Sequence, residues 1–276
     1  MPVLTPTDVR ALLADHGLHP SRALGQNFLA DPNTARRVVR LADVESGDAV
    51  VEIGPGLGSL TLALAEAGAH VLALELDRHV LPVLESVVEG RGDVTVEHAD
   101  ARTFDFASRL GDGRWLCVSN LPYNVATPVV LRLLETAPQV VRLLVMVQRE
   151  AGERLAAGPG SRIYGAVSVK VAYYARAEVV GSVPATVFMP RPNVESVLVR
   201  LDRLDGPPVD VPSTEELFGL VRAGFATRRK MLRRSLKPVL GSRTDAVLQA
   251  AGIDPAARAE ALGLEQWASL TRAAAA

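Results

Sequence analysis

Residues 49–61 read AVVEIGPGLGSLT, and this stretch decides the fold. Apolar and β-branched residues around one carboxylate lead into three glycines, Gly54, Gly56 and Gly58. An apolar, helix-compatible run over 60–67 follows and stops at Gly68. A strand, a tight glycine turn and a helix N-terminus, in that order, form the first half of a nucleotide-binding βαβ unit. Glycine suits the turn because a Cβ would hold the backbone away from a ligand and disfavour positive φ. The same pattern also serves a strand–helix turn that binds nothing, so other residues must carry the ligand.

Working outward, 70–75 (HVLALE) reads as a second apolar strand with Glu75 at its C-terminal end. That position is about 20 residues beyond Gly54, the spacing at which a carboxylate meets a ribose diol in nucleotide folds. The alternative is a helix-capping acid, a task for which Asp77 is better placed. A third strand over 94–98 precedes Asp100, a second acid at a strand end. Ligands of open α/β sheets bind outside those ends. A fourth strand, 115–119, runs into Asn120-Leu121-Pro122-Tyr123. Proline cannot continue a central strand and fixes a turn. That turn gathers an amide, backbone carbonyls and an aromatic ring, a set suited to a planar base carrying an exocyclic amine.

Toward the N-terminus, 5–16 reads as a helix capped by Thr5 and ended by Gly17, and Asp31-Pro32 starts a second. Between them SRALGQNFL (21–29) reads as a loop holding Gln26 and Asn27, with Phe28 and Leu29 as apolar anchors. Toward the C-terminus, a helix over 127–135 and a buried strand over 140–147 precede a closing strand pair, 179–183 and 194–201. Between those two strands, FMPRP at 188–192 is an extended loop that presents Phe188; the alternative leaves Phe188 in the core. The Pro/Gly/Asp-rich segment 202–212 is a linker, and a capping box at 213–216 opens a helical region. From 217 to 244 no acidic residue occurs, while Arg228, Arg229, Lys230, Arg233 and Arg234 do. That basic helix is either a phosphate-binding face or a solvated one.

The chain has 276 residues, 48% of them hydrophobic, enough for one large domain and a small one. A net charge of −1 argues against a uniformly basic nucleic-acid binder, so any such surface is local. Apolar runs are too short for a membrane span, and the N-terminus lacks a signal pattern. The single cysteine, Cys117, sits inside a strand as core, and no metal-ligand cluster is evident. A cytosolic protein without metal is expected.

The sequence resembles the ribosomal RNA adenine dimethyltransferases, and within them the small-subunit (KsgA-type) branch. The resemblance covers nearly the whole chain: LGQNFL at 24–29, VEIGPGLGSLT at 51–61, ELD at 75–77, AD at 99–100, NLPYNV at 120–125, YG at 164–165 and F-x-P-x-P-x-V-x-S at 188–196. It extends through RRK at 228–230 to IDP and R-x-E at 253–260. It implies a class I, Rossmann-like α/β methyltransferase domain with a mostly parallel seven-stranded sheet over 1–204. A small all-helical domain that engages rRNA then covers 205–276.

The implied activity is transfer of methyl groups from S-adenosylmethionine to N6 of two adjacent adenosines near the 3′ end of 16S rRNA in the small ribosomal subunit, by a monomer. The implied cofactor contacts are Gln26, Asn27, Leu29, Gly54, Gly56, Glu75, Leu76, Asp100, Ala101 and Asn120. Catalysis falls to Asn120, Leu121, Pro122 and Tyr123, with the target base between Tyr123 and Phe188. RNA contacts fall on Arg228, Arg229, Lys230, Arg233 and Arg234. A large-subunit (23S) adenine methyltransferase conferring antibiotic resistance shares GxGxG and an Asn-x-Pro-Tyr corner, and a non-catalytic subunit assembly factor is the rival from another class. A nicotinamide dehydrogenase fits less well, because Leu57-Gly58-Ser59 puts the third glycine one place early for G-x-G-x-x-G.

Overall fold

The computed structural model describes residues 1–21 and 24–276. Positions 22 and 23 of the SRALGQNFL loop lie outside the described residues. The chain divides into two compact units, Met1–Gly152 with Ala177–Arg203, and Glu153–Arg176 with Leu204–Ala276.

In the first unit, the major sheet contains β2 (Ala49–Ile53), β3 (His70–Glu75), β4 (Val94–His98), β5 (Trp115–Asn120), β6 (Val140–Gln148), β7 (Ala175–Val183) and β9 (Ser196–Arg203). Their order is β4-β3-β2-β5-β6-β9-β7. Pairing is parallel from β4 through β6 and antiparallel between β6 and β9. The chain therefore winds outward from β2 through β3 to β4, then returns to lay β5 on the other side of β2. The reversal opens a crevice beyond the C-terminal ends of β2 and β5, where open α/β sheets bind their ligands. A short second sheet pairs β1 (Phe28–Leu29) with β8 (Phe188–Met189), two stretches whose sequence reads as loop. Two-residue strands carry no periodicity, which is why the pattern misses them.

The helices of this unit are α1 (Pro6–Asp15), α2 (Pro32–Leu41), α3 (Ser59–Glu66), α4 (Leu81–Val87), α5 (Phe106–Leu110) and α6 (Ala126–Thr136), with α7 (Arg149–Leu155) at its boundary. The first two start at side-chain caps: Thr5 accepts from Asp8 N in a full capping box, and Asp31 accepts from Thr34 N. Val50, Leu116, Val118, Leu144 and Met146 alternate along their strands onto one face and share a core with α2, α3 and α4. Val51, Cys117 and Val145 on the opposite face are buried as well, so these strands read as continuous apolar runs.

The second unit holds α8 (Ala166–Tyr174), α9 (Thr214–Ala226), α10 (Leu232–Ser235), α11 (Lys237–Leu240), α12 (Thr244–Ala250) and α13 (Leu264–Ala275). Its core joins Tyr164, Val169 and Tyr173 to Phe218, Trp267 and Leu270. The division therefore differs from 1–204 and 205–276: the segment around α8 packs with the C-terminal helices because its aromatic face has its partners there. The basic stretch departs from expectation too. It is broken rather than one helix, since α9 ends at Ala226, Arg228–Lys230 form a turn, and Met231 bridges to Arg258.

Candidate active site

The ends of β2 and β5 are tied where they meet, because Ile53 N donates to Ser119 Oγ at 2.9 Å. Past Ile53, Gly54 takes φ +68°, and a Cβ there would stand 3.1 Å from Pro122 Cδ. Gly56, at φ +58°, would put a Cβ 2.7 Å from the Phe28 ring. The glycine loop is thus pressed between the proline corner after β5 and the β1 strand, a fit only a residue without a side chain allows. Ser59, which opens α3, completes the clamp by donating to the Leu29 carbonyl at 2.5 Å.

These elements enclose a cavity of about 330 Å³. Every expected cofactor residue lines it: Gln26, Asn27, Leu29, Gly54, Gly56, Glu75, Leu76, Asp100, Ala101 and Asn120. So do Leu121, Pro122 and Tyr123. Phe188 does not. It is 4% exposed, held in β8 against β1 and packed into the core, so here it does not face Tyr123 across the cavity. The pairing of Leu29 with Phe188 commits that ring to the interior.

Glu75 is almost wholly buried, yet its carboxylate accepts three backbone amides: Gly56 N at 3.0 Å, and Leu76 N and Asp77 N at 2.9 Å each. Burial pushes its pKa up, and those amides oppose the shift. Asp100 is gripped by Arg102, whose Nη2 donates to Oδ2 at 2.6 Å and whose Nε donates to Oδ1 at 3.0 Å. That hydrogen bonding holds Asp100 below the usual carboxylate range. Gln26 braces the loop instead of reaching into the cavity alone, accepting from Ser21 N and donating to Asp77, both at 2.7 Å. Asn120 Nδ2 donates to the Asn27 carbonyl at 3.1 Å, which leaves its Oδ1 as the acceptor on this side chain. Leu121 N donates to Met146 O at 3.1 Å, so the corner is fixed to β6.

Three residues given no role from the motifs also shape the site. Glu52, 1% exposed, lines the cavity floor and accepts from Thr61 Oγ1 at 2.7 Å. Burial drives its pKa up to about 8; the clue was a lone carboxylate inside an apolar strand. Arg102 sits on Asp100, and no local pattern marks it. Ser196 hydrogen-bonds to the Tyr123 hydroxyl at 2.7 Å across a long sequence separation.

In the second unit, the basic residues separate. Arg228 is exposed but makes intramolecular contacts, facing Glu260 at 3.3 Å and donating to the Arg162 carbonyl. Arg229, Lys230, Arg233 and Arg234 are exposed.

The parallel sheet, its switch point, the glycine loop and the acids at successive strand ends define a class I, Rossmann-like methyltransferase. Residues 19–276 match the family described as ribosomal RNA adenine dimethylase, and the chain belongs to that family. A ribosomal RNA small subunit methyltransferase A of Leifsonia xyli is 46% identical over 275 residues, covering 97% of each chain. One of Thermobifida fusca is 47% identical over 273 residues, covering 97% of this chain and 95% of the relative. Among solved structures, the 23S rRNA methyltransferase ErmE superposes with a TM-score of 0.69 at 25% identity, covering 91% of this chain and all (100%) of that one. A dimethyladenosine transferase from Plasmodium falciparum reaches 0.72 at 23% identity, covering 88% and 95%, and shares the fold.

Proposed function

We propose that this chain methylates N6 of two adjacent adenosines near the 3′ end of small-subunit (16S) rRNA, working in the cytoplasm as a monomer with S-adenosylmethionine as donor. The relatives' name supports the small subunit as target. The cavity suits the donor: its volume is in the range of nucleotide-sized ligands, glycines spare the space that a Cβ would fill, and acids stand at two strand ends. Asn27, the Leu29 backbone, Gly54 and Gly56 would hold the amino-acid tail, Glu75 the ribose diol, and Asp100 the adenine amine between Leu76 and Ala101. S-adenosylmethionine supplies an electrophilic sulfonium methyl group.

The chain's own residues prepare the acceptor. An adenine amine is a poor nucleophile because its lone pair is delocalised into the ring. Asn120 Oδ1 and a backbone carbonyl of Leu121-Pro122 accept its hydrogens, which favours a pyramidal nitrogen and frees the lone pair. Tyr123 stacks on the extruded base, a contact worth about 1–3 kcal/mol per base that offsets unstacking. Rate enhancement then comes from positioning and oriented dipoles. The methylated nitrogen loses its proton readily, so the corner needs no strong base.

The observation that carries this reading is the Asn120 amide, pinned through Nδ2 so that its oxygen is the acceptor at a proline-fixed corner of the cavity. Asn120→Ala is expected to abolish methyl transfer in a tritiated-methyl assay while cofactor affinity stays within a few-fold. Unchanged turnover would refute the role. Parallel assays on 30S and 50S precursors test the target, and methylation of 50S alone would overturn it.

A further inference from the structure

Tyr123 lies in the turn between β5 and α6, outside any strand. Its ring lines the cavity, and its hydroxyl meets Ser196 Oγ at 2.7 Å. Ser196 is held far more firmly. It opens β9, pairs in register with Gln148 at the end of β6, and is fully buried. The preceding Glu195 carbonyl accepts from Arg149 N at 3.0 Å, so both sides of the residue are anchored. A tyrosine ring turns about two side-chain torsions. A hydrogen bond from its hydroxyl to a fixed atom restrains χ1 by position, and, because the phenol O–H and its accepting lone pair prefer the ring plane, it also biases the ring tilt about χ2. Phe188, the other aromatic expected at the base, is buried elsewhere, so orienting the base falls to Tyr123.

We propose that Ser196 is a positioning residue for methyl transfer: its hydroxyl sets the tilt of the Tyr123 ring against which the target adenine stacks. The inference rests on Tyr123 being the stacking residue, as given under Proposed function. Pre-setting the ring removes an ordering cost that base binding would otherwise meet.

The test is a double-mutant cycle with Ser196→Ala, Tyr123→Phe, the pair together, and Ser196→Thr as the hydroxyl-retaining variant. Each single removal is expected to lower kcat/KM for RNA by about three- to ten-fold, the range of one net hydrogen bond. The double variant should be no worse than either single one, because both remove the same interaction. S-adenosylhomocysteine affinity by calorimetry should not change, and Ser196→Thr should recover most of the loss. Binding of a small-subunit 3′-end RNA hairpin with 2-aminopurine at a target position supplies a readout independent of turnover. Quenching on binding should weaken in Ser196→Ala and Tyr123→Phe and return in Ser196→Thr. Multiplying single effects, or a Ser196→Ala enzyme matching the wild type in turnover and quenching, would overturn the proposal. If Tyr123→Ala were itself fully active, the stacking role of Tyr123 would fall first. If Tyr123→Ala is inactive while Ser196→Ala and Tyr123→Phe behave as wild type, only the positioning role falls.

Discussion

Replacing Gly56 by alanine tests the glycine loop at its tightest point. Two costs add. Gly56 sits at φ +58°, and holding an L-residue in that left-handed region costs about 1–2 kcal/mol. The new Cβ would also stand 2.7 Å from Phe28 Cδ1 and 3.0 Å from Cε1. That ring is buried beside β8, so ring or backbone must shift, at a further ~1–3 kcal/mol typical of overpacking. Gly47→Ala is the matched control: φ is +88° and nothing lies within 4 Å of its added Cβ, so it carries the conformational cost alone. Thermal unfolding should place Gly56→Ala roughly 2–12 °C below Gly47→Ala, at about 2–4 °C per kcal/mol. Displacing the loop also disturbs the Gly56 N–Glu75 bond, so S-adenosylhomocysteine affinity should fall in Gly56→Ala and hold in Gly47→Ala. Equal melting temperatures and equal affinities would refute the claim that Phe28 and the loop are mutually packed around the ligand.

Other outcomes follow from particular groups. Glu52 has a folded-state pKa near 8, above its ordinary value, so the folded protein holds a proton that the unfolded chain releases. Stability should therefore fall as pH rises from about 5 to 8; Glu52→Gln keeps an acceptor for Thr61 and should flatten that slope in melting curves, whereas an unaltered slope would show that Glu52 is not its source. Phe188→Ala should destabilise by about 3–5 kcal/mol as a core truncation, whereas Phe188→Leu should cost under ~1.5 kcal/mol, read by chemical denaturation. Tolerance of Phe188→Ala would return the ring to the surface. Reversing Arg229, Lys230, Arg233 and Arg234 to Glu should weaken subunit binding and reduce the salt slope by about 0.7–0.9 for each phosphate no longer neutralised. An unaffected slope would make this a solvated face.

How much of this was legible follows from the range over which each signal acts. The glycine loop, Glu75, Asp100 and the Asn120–Tyr123 corner are short segments at strand ends, and the strands carry strong apolar runs. Their convergence needed only the rule that ligands sit where a parallel sheet reverses its winding. The basic stretch misled because cationic residues with apolar spacing imitate a helix, while α9 ends at Ala226 and Met231 pairs with Arg258. Phe188 was legible only as an aromatic beside prolines; which way it faces depends on a two-residue pairing with Leu29. Arg102 and Ser196 belong to a third kind. Each acts through a partner already marked by a motif, one clasping Asp100 and the other Tyr123, so its importance is a property of the pairing rather than of the residue. Such supporting residues hold a site's geometry, and a one-dimensional pattern has no means of pairing Tyr123 with a serine 73 residues further on.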